Sequence, residues 1–227
     1  MTSLVLESCC TSLDEALAAQ DRGADRIELC SDLSVGGLTP PRSLVSELVA
    51  RLKIPVNVLV RPLSRSVRSC GLAHCPCGGD LGFKFRDFVY DDDEIAQMSS
   101  DIEFCRDAGA AGVVIGALTA EGAVDIVSMR RLMVSRGLLS VTFHRAFDVC
   151  LEDASGALEK IICLGCDRLL TSGRAVSAWE GRGLIAELVV RSAGRLIIMP
   201  GSGVCPGNLA ALSAFTGAAE FHGTRIP

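Results

Sequence analysis

The sequence predicts a (βα)8 TIM barrel in a single domain spanning residues 1–227. Three observations lead there. Eight short apolar runs rich in β-branched residues occur at 3–9, 26–31, 55–61, 112–117, 139–146, 168–172, 195–200 and 218–223. Amphipathic segments lie between them, and strand starts recur about every 22–30 residues, the length of one βα unit. A faint internal repeat marks the joints: Gly23-Ala24-Asp25-Arg26-Ile27-Glu28-Leu29 resembles Gly165-Cys166-Asp167-Arg168-Leu169-Leu170-Thr171, with shorter echoes at Gly109–Ile115 and Gly194–Ile198. In each, a glycine sits where a helix ends in a left-handed residue and the next strand begins. A doubly wound open sheet is the runner-up, but it rarely carries eight such even units.

The elements can be justified in order. After strand one, Ser12 and Glu15 form a capping box, with Ser12 as the helix cap. Pro41 suits the first turn of the second helix. The gap between strands three and four is about twice the usual length, and 63–86 reads as a long inserted loop, neither strand nor helix. Asp91-Asp92-Asp93-Glu94 then places negative charge at a helix start, where the dipole favours it. The sequence stops just after strand eight, so the final helix of the fold is missing. The seam between strands one and eight is therefore expected to be exposed or covered by another subunit.

Composition agrees with this architecture and excludes others. Apolar residues make up 49% and aromatics only 4%, so Val, Ile, Leu and Ala must fill the core, as in parallel strands buried on both faces. The net charge of −5 and the lack of a basic run argue against nucleic acid as a partner. The N-terminus has no basic segment followed by an apolar core, and no apolar run is long enough for a bilayer, so a soluble cytoplasmic protein is expected. Eleven cysteines are many, but Cys9, Cys30, Cys105 and Cys163 fall within strand or helix patterns like buried free thiols, as in a reducing compartment.

Polar residues gather where strands end. Thr142-Phe143-His144-Arg145-Ala146-Phe147-Asp148 begins as a buried strand and ends in a catalytic-looking cluster, at the end of a parallel strand where such folds bind ligands. The alternative is a histidine capping a strand beside an Arg–Asp surface pair. Alternation places Glu7 with Cys9 on one face of strand one, and Glu28 with Cys30 on one face of strand two. The two cysteines are then expected side by side with the two glutamates one layer below. Adjacent thiolates suit Cu(I). Spacing alone nevertheless favours two small buried hydrophobes, the commonest fate of free cysteine. Paired buried carboxylates suit proton transfer, since one pKa must rise, with Arg61 as counter-charge and His144 as general base or ligand. The alternative is a structural Glu–Arg network. His222 shares its alternation with Glu220 and is expected beside strand one.

An anion site is expected after strand seven. Gly201-Ser202-Gly203 forms a glycine-rich turn before a helix starting near Pro206, and Gly223-Thr224 follows strand eight. The bland alternative is a tight turn. Thr171-Ser172-Gly173 adds hydroxyls to the same rim. In the long loop, Cys70, His74, Cys75 and Cys77 resemble a metal knuckle, but their spacing is too cramped for a tetrahedral zinc site, and an exposed, oxidation-prone loop is the expectation.

Taken together, these stretches resemble the CutC family of copper homeostasis proteins, which have a (βα)8 barrel. The resemblance runs through Gly23–Cys30, Gly36-Gly37-Leu38-Thr39-Pro40, Arg61-Pro62, Asp87-Phe88-Val89-Tyr90, Thr142–Asp148, Leu170–Gly173, Met199–Val204 and Glu220-Phe221-His222. It implies a cytoplasmic, oligomeric protein of copper handling that binds Cu(I), with Cys9 and Cys30 matching the cysteines suspected of that role, and it attaches no firm enzymatic activity. Two departures stand out: about 20 residues inserted between Arg61-Pro62 and Asp87, and the end of the chain after strand eight. Against the copper reading stands a barrel enzyme acting on a phosphorylated or other anionic small molecule through Glu7, Glu28, Arg61, His144 and Asp148. A third reading is a relative that neither binds metal nor catalyses.

Overall fold

A computed structural model describes residues 4–62 and 83–227. It contains the eight strands: β1 Val5–Cys10, β2 Arg26–Leu29, β3 Val56–Leu59, β4 Gly112–Ile115, β5 Ser140–Phe143, β6 Arg168–Thr171, β7 Ile197–Pro200 and β8 Glu220–Gly223. All neighbouring pairs are parallel, in the order β7-β6-β5-β4-β3-β2-β1-β8. The ladder thus closes between β1 and β8 and is interrupted between β7 and β8. The helices among the described residues are α1 Leu13–Asp21, α2 Arg42–Arg51, α3 Asp92–Asp107, α4 Ile126–Ser135, the one-turn α5 Ala146–Val149, α6 Ala154–Cys163, α7 Arg182–Ser192 and α8 Pro206–Thr216.

Local chemistry starts these helices where the sequence indicates. The Glu15 N–H donates to Ser12 Oγ at 3.2 Å, but the Glu15 carboxylate reaches back to the N–H and hydroxyl of Thr11, one residue earlier than expected. Asp91 and Glu94 exchange hydrogen bonds of 2.9 and 3.0 Å at the start of α3. Pro41 precedes α2 as its cap. The expected inserted loop ends earlier than 86, because Phe85–Phe88 forms a short 3-10 helix. Residues 63–82, including Cys70, His74, Cys75 and Cys77, lie outside the described residues.

Two layers of packing separate the apolar from the polar work. Side chains facing outward from the strands, such as Ile27, Val58, Val113, Val141, Leu169 and Phe221, join the helices in the main apolar core. The barrel interior is different. Its lower layers hold Glu7, Arg26, Asn57 and Glu220, and a small separate apolar cluster of Cys9, Cys30, Leu59 and Val114 sits at the mouth. Val, Ile and Leu therefore fill chiefly the shell between barrel and helices. Cys9, Cys30 and Cys105 are buried as expected, whereas Cys163, at the end of α6, is exposed.

Two expectations need correction. The seam beside β8 is not bare at Phe221, which is fully buried within this one chain. Ile226 is buried nearby, and the Arg22 Nε–H donates to the Pro227 carbonyl at 3.0 Å, so the last residues fold over this side. The register also differs: the Cα partner of Cys9 is Glu28 and that of Glu7 is Arg26, because adjacent barrel strands are staggered. The glutamates therefore do not form a layer beneath paired cysteines.

Gly112 shows how tightly the interior closes. A methyl group there would collide with Ser140 Oγ and lie 2.6 Å from Asn57 Oδ1 and 2.7 Å from the Ser140 carbonyl. The Gly112→Ala variant is expected to lose about 1–3 kcal/mol of unfolding free energy in urea titrations. An unchanged midpoint would refute this packing.

Candidate functional site

The upper end of the barrel opens into a cavity of about 490 Å³. Cys9 and Glu28 reach it from β1 and β2, Cys30 and Arg61 from just beyond β2 and β3, His144 from the end of β5, and His222 from β8. Ser202, Gly203, Gly223 and Thr224 line it too. Glu7 lies deeper, Gly201 packs against Leu170, and Asp148 sits to one side, so these three predicted residues do not line the cavity.

Glu7 is fully buried and accepts three hydrogen bonds: from Arg26 Nε at 2.5 Å, from Asn57 Nδ2 at 3.0 Å and from His222 Nδ1 at 2.9 Å. Burial alone would raise its pKa. The His222 hydrogen bond and the Arg26 charge outweigh that and hold the carboxyl at about 2. Arg26, not Arg61, is therefore the counter-charge of the carboxylates. Arg26 also donates to Glu220 at 2.8 Å. Glu28 is in the opposite situation. Burial, helped by the charge of Glu7 and opposed by His222, pushes it up to about 7. Its Oε2 stands 3.8 Å from His222 Nδ1 and accepts no hydrogen bond among the described residues. Burial opposes charge on His222, yet Glu28 and Glu7 raise its pKa above the usual value.

The two thiols meet despite the shifted register, with Cys9 Sγ 3.5 Å from Cys30 Sγ. Cys9 Sγ also lies 3.9 Å from Glu28 Oε1. Contact with Cys30, then burial, raises the Cys9 pKa well above that of a free thiol. Cys9, Glu28 and His222 together offer one sulfur, one oxygen and one nitrogen within 4.8 Å of one another, a donor set able to hold a metal ion. Gly37, at φ +88°, lies over Cys30. A methyl group there would approach Leu59 Cδ2 to 2.9 Å, so only glycine lets this loop close on the thiol.

Beyond Gly37, Arg61 donates from Nη1 to the carbonyls of Val35 and Gly37 at 2.9 and 2.6 Å, and its guanidinium stacks 5.0 Å from the centre of the Phe88 ring. His144 Nδ1 accepts the Ala146 N–H at 3.2 Å. Burial and the Arg61 charge push its pKa down to about 3, so the ring is neutral and carries its hydrogen on Nε2. The ring can stand there because residue 116 is glycine; a methyl group at Gly116 would come within 2.6 Å of it. Asp148 is saturated: it accepts from Thr171 Oγ1, from the N–H and hydroxyl of Ser172, from the Arg174 N–H and from Arg145 Nε. Those bonds tie the end of β5 to the end of β6. Ser202 has φ +78°, unusual for a residue with a side chain. It is held there by its hydroxyl donating to the Val176 carbonyl and its carbonyl accepting the Ala178 N–H.

A family model described as CutC family matches residues 4–67 and 77–227. The chain belongs to the CutC family. Family protein CutC of Chromobacterium violaceum is 44% identical over 218 residues, covering 96% of this chain and 79% of that protein. The crystal structure of CutC from Streptococcus agalactiae, a protein assigned to copper homeostasis, superposes with a TM-score of 0.84 at 28% identity, covering 99% of this chain and all of that one. An aldolase, QR15, shares the fold alone: TM-score 0.65 at 12% identity over 97% of this chain and 89% of its own. The CutC membership accords with the sequence motifs at the barrel mouth. Sequence reasoning missed Arg26 and Asn57 as partners of Glu7. It also left His222 outside the site and did not place Phe83 and Phe88 on the cavity wall. Arg26 carried a usable signal, since it precedes Glu28 by two residues and so shares its face.

Because the folded Glu7 carboxyl has a pKa of about 2 instead of 4.5, it contributes stability that is present above about pH 4.5 and is lost as the pH falls toward 2. The Glu7→Gln variant is expected to be less stable by on the order of 3 kcal/mol at pH 7. That difference should shrink between about pH 4.5 and 2 in urea titrations; a pH-independent gap would contradict the ion-pair account.

Proposed function

We propose that this CutC protein serves copper homeostasis by binding Cu(I) between the thiolates of Cys9 and Cys30. One observation carries the reading: two buried sulfurs 3.5 Å apart face the same cavity from adjacent strands. Thiolate is the ligand Cu(I) prefers, and two are enough to hold it. Glu28 and His222 stand close enough to Cys9 to add a third donor. The ion is cargo, and coordination replaces the thiol protons that burial otherwise retains. Free thiols persist in a reducing compartment, which supports the cytoplasm as the site of action. The family resemblance supports a homo-oligomer.

The size of the cavity favours a second reading, a barrel enzyme acting on a phosphorylated or other anionic small molecule. About 490 Å³ is far more than one ion needs and lies within the range of small-molecule sites. In this reading Ser202-Gly203 and Gly223-Thr224, with Gly201 shaping the turn, meet the anion. Glu7, Glu28, Arg61, His144 and Asp148 supply or position the charged groups.

An anaerobic Cu(I) competition titration against a chromophoric chelator tests the first reading. The wild type is expected to compete, and Cys9→Ser and Cys30→Ser are each expected to lose at least tenfold in affinity. Equal competition by wild type and the double variant would remove copper from this pair of thiols.

A further inference from the structure

Three neighbouring strands bring three different donors to one point. In the ladder Cys9 of β1 pairs with Glu28 of β2, and Glu7 of β1 pairs with His222 of β8. Inward positions repeat every second residue, so Cys9 shares the face of Glu7 and lies between the other two strands. One ligand atom each from Cys9, Glu28 and His222 falls within 4.8 Å of the others, and all three side chains line the cavity. Zn2+ holds thiolate, imidazole and carboxylate at about 2.0–2.3 Å, which sets tetrahedral ligand atoms roughly 3.3–3.8 Å apart. Cys9 Sγ and Glu28 Oε1, at 3.9 Å, already stand close to that spacing. Cys30 touches Cys9 at 3.5 Å, but its sulfur falls outside this group of three.

The surroundings suit a cation too. Glu28 has unused capacity, since its Oε2 accepts no hydrogen bond among the described residues. His222 is already oriented. Its Nδ1–H donates to the ionised Glu7, which Arg26 and Asn57 hold in turn. The lone pair of the neutral ring is then on Nε2. A carboxylate behind a histidine is the usual outer support of a metal ligand, because it fixes the tautomer and makes the ring a stronger donor.

We propose that Cys9, Glu28 and His222 form a binding site for a divalent cation of the zinc class, with Cys30 left out. One thiolate and one carboxylate supply two negative charges, which match a divalent ion. Imidazole and carboxylate are ordinary ligands of Zn2+, whereas Cu(I) selects sulfur. The site shares only Cys9 with the thiol pair, so zinc and copper exclude one another. Three protein ligands leave a fourth position vacant, the pattern of a catalytic rather than a structural zinc site. The adjoining cavity of about 490 Å³ has room for a small molecule at that position. The proposal stands whether or not copper binds.

The test is an anaerobic Zn2+ titration of metal-free, full-length protein against a chromophoric zinc chelator, with Co2+ as the spectroscopic probe. A phosphine, not a chelating dithiol, keeps the thiols reduced. Every arm carries Cys70→Ser, Cys75→Ser and Cys77→Ser, which removes the thiols of the other ligand-rich segment. One ion per chain is expected to bind. Cys9→Ser, Glu28→Gln and His222→Gln are each expected to weaken it at least tenfold, and Cys30→Ser to leave it within about threefold. The Co2+ form is expected to show a sulfur-to-cobalt charge-transfer absorption that Cys9→Ser abolishes and Cys30→Ser keeps. His222→Gln takes a partner from Glu7, so Glu28→Gln decides the matter should that variant misfold. No competition for Zn2+, or an affinity that Glu28→Gln leaves unchanged, would overturn the site. A loss in Cys30→Ser as large as in Cys9→Ser would also overturn it and assign the ion to the thiol pair. Zinc binding alongside failed copper competition would remove the thiol-pair reading alone.

Discussion

The carboxylate of Glu7 holds this barrel together from the inside. From β1 it receives hydrogen bonds from β2 through Arg26, from β3 through Asn57 and from β8 through His222. One side chain thereby ties four strands. Arg26 extends the network to Glu220 on β8, and Arg168 reaches the same carboxylate from β6. This last link matters because no backbone ladder joins β7 to β8. Where the main chain leaves the barrel unclosed, ion pairs bridge from β8 to β6 across the interior. Such a network is valuable only when every member is satisfied, since a buried charge left without its partner is strongly destabilising.

A charged barrel interior has consequences for the mouth. Apolar stabilisation comes chiefly from the shell between strands and helices, where residues such as Ile27, Val113, Phe143 and Phe221 are fully buried. The interior is free to carry polar groups, and Glu7 contributes to the electrostatics of those above it. Its negative charge raises the pKa of both His222 and Glu28. Burial and the mutual Glu28–His222 interaction act on these groups more strongly, and Glu7 adds to them from below the cavity.

Much of the fold was legible in the sequence because its signals are local. Short apolar runs rich in β-branched residues gave all eight strands, and Ser12, Asp91 with Glu94, and Pro41 lie at helix starts, where capping chemistry puts them. What failed depended on relations between strands. Alternation put Cys9 and Cys30 on inward faces, but it says nothing about the stagger that pairs Cys9 with Glu28 and Glu7 with Arg26. The thiols still meet, their sulfurs 3.5 Å apart. Arg61 illustrates the same limit: its place at the end of β3 suggested a partner for glutamates, while the structure turns it toward loop carbonyls. Asp148 could be located from sequence, but the five groups that donate to it come from two strand ends and their loops.

The mouth has two chemically distinct walls. On one, Cys9 and Cys30 sit with Leu59 and Val114 in an apolar cluster, next to a carboxyl and an imidazole. On the other, Arg61 and His144 both pack against the Phe88 ring. The separation follows from the fold: the thiols come from the first two strands, whereas Arg61 and His144 come from just beyond β3 and β5. Between the latter two runs β4, where Gly116 leaves room for the imidazole. A larger residue there would displace His144, whereas Gly37 couples the two walls, covering Cys30 and accepting from Arg61.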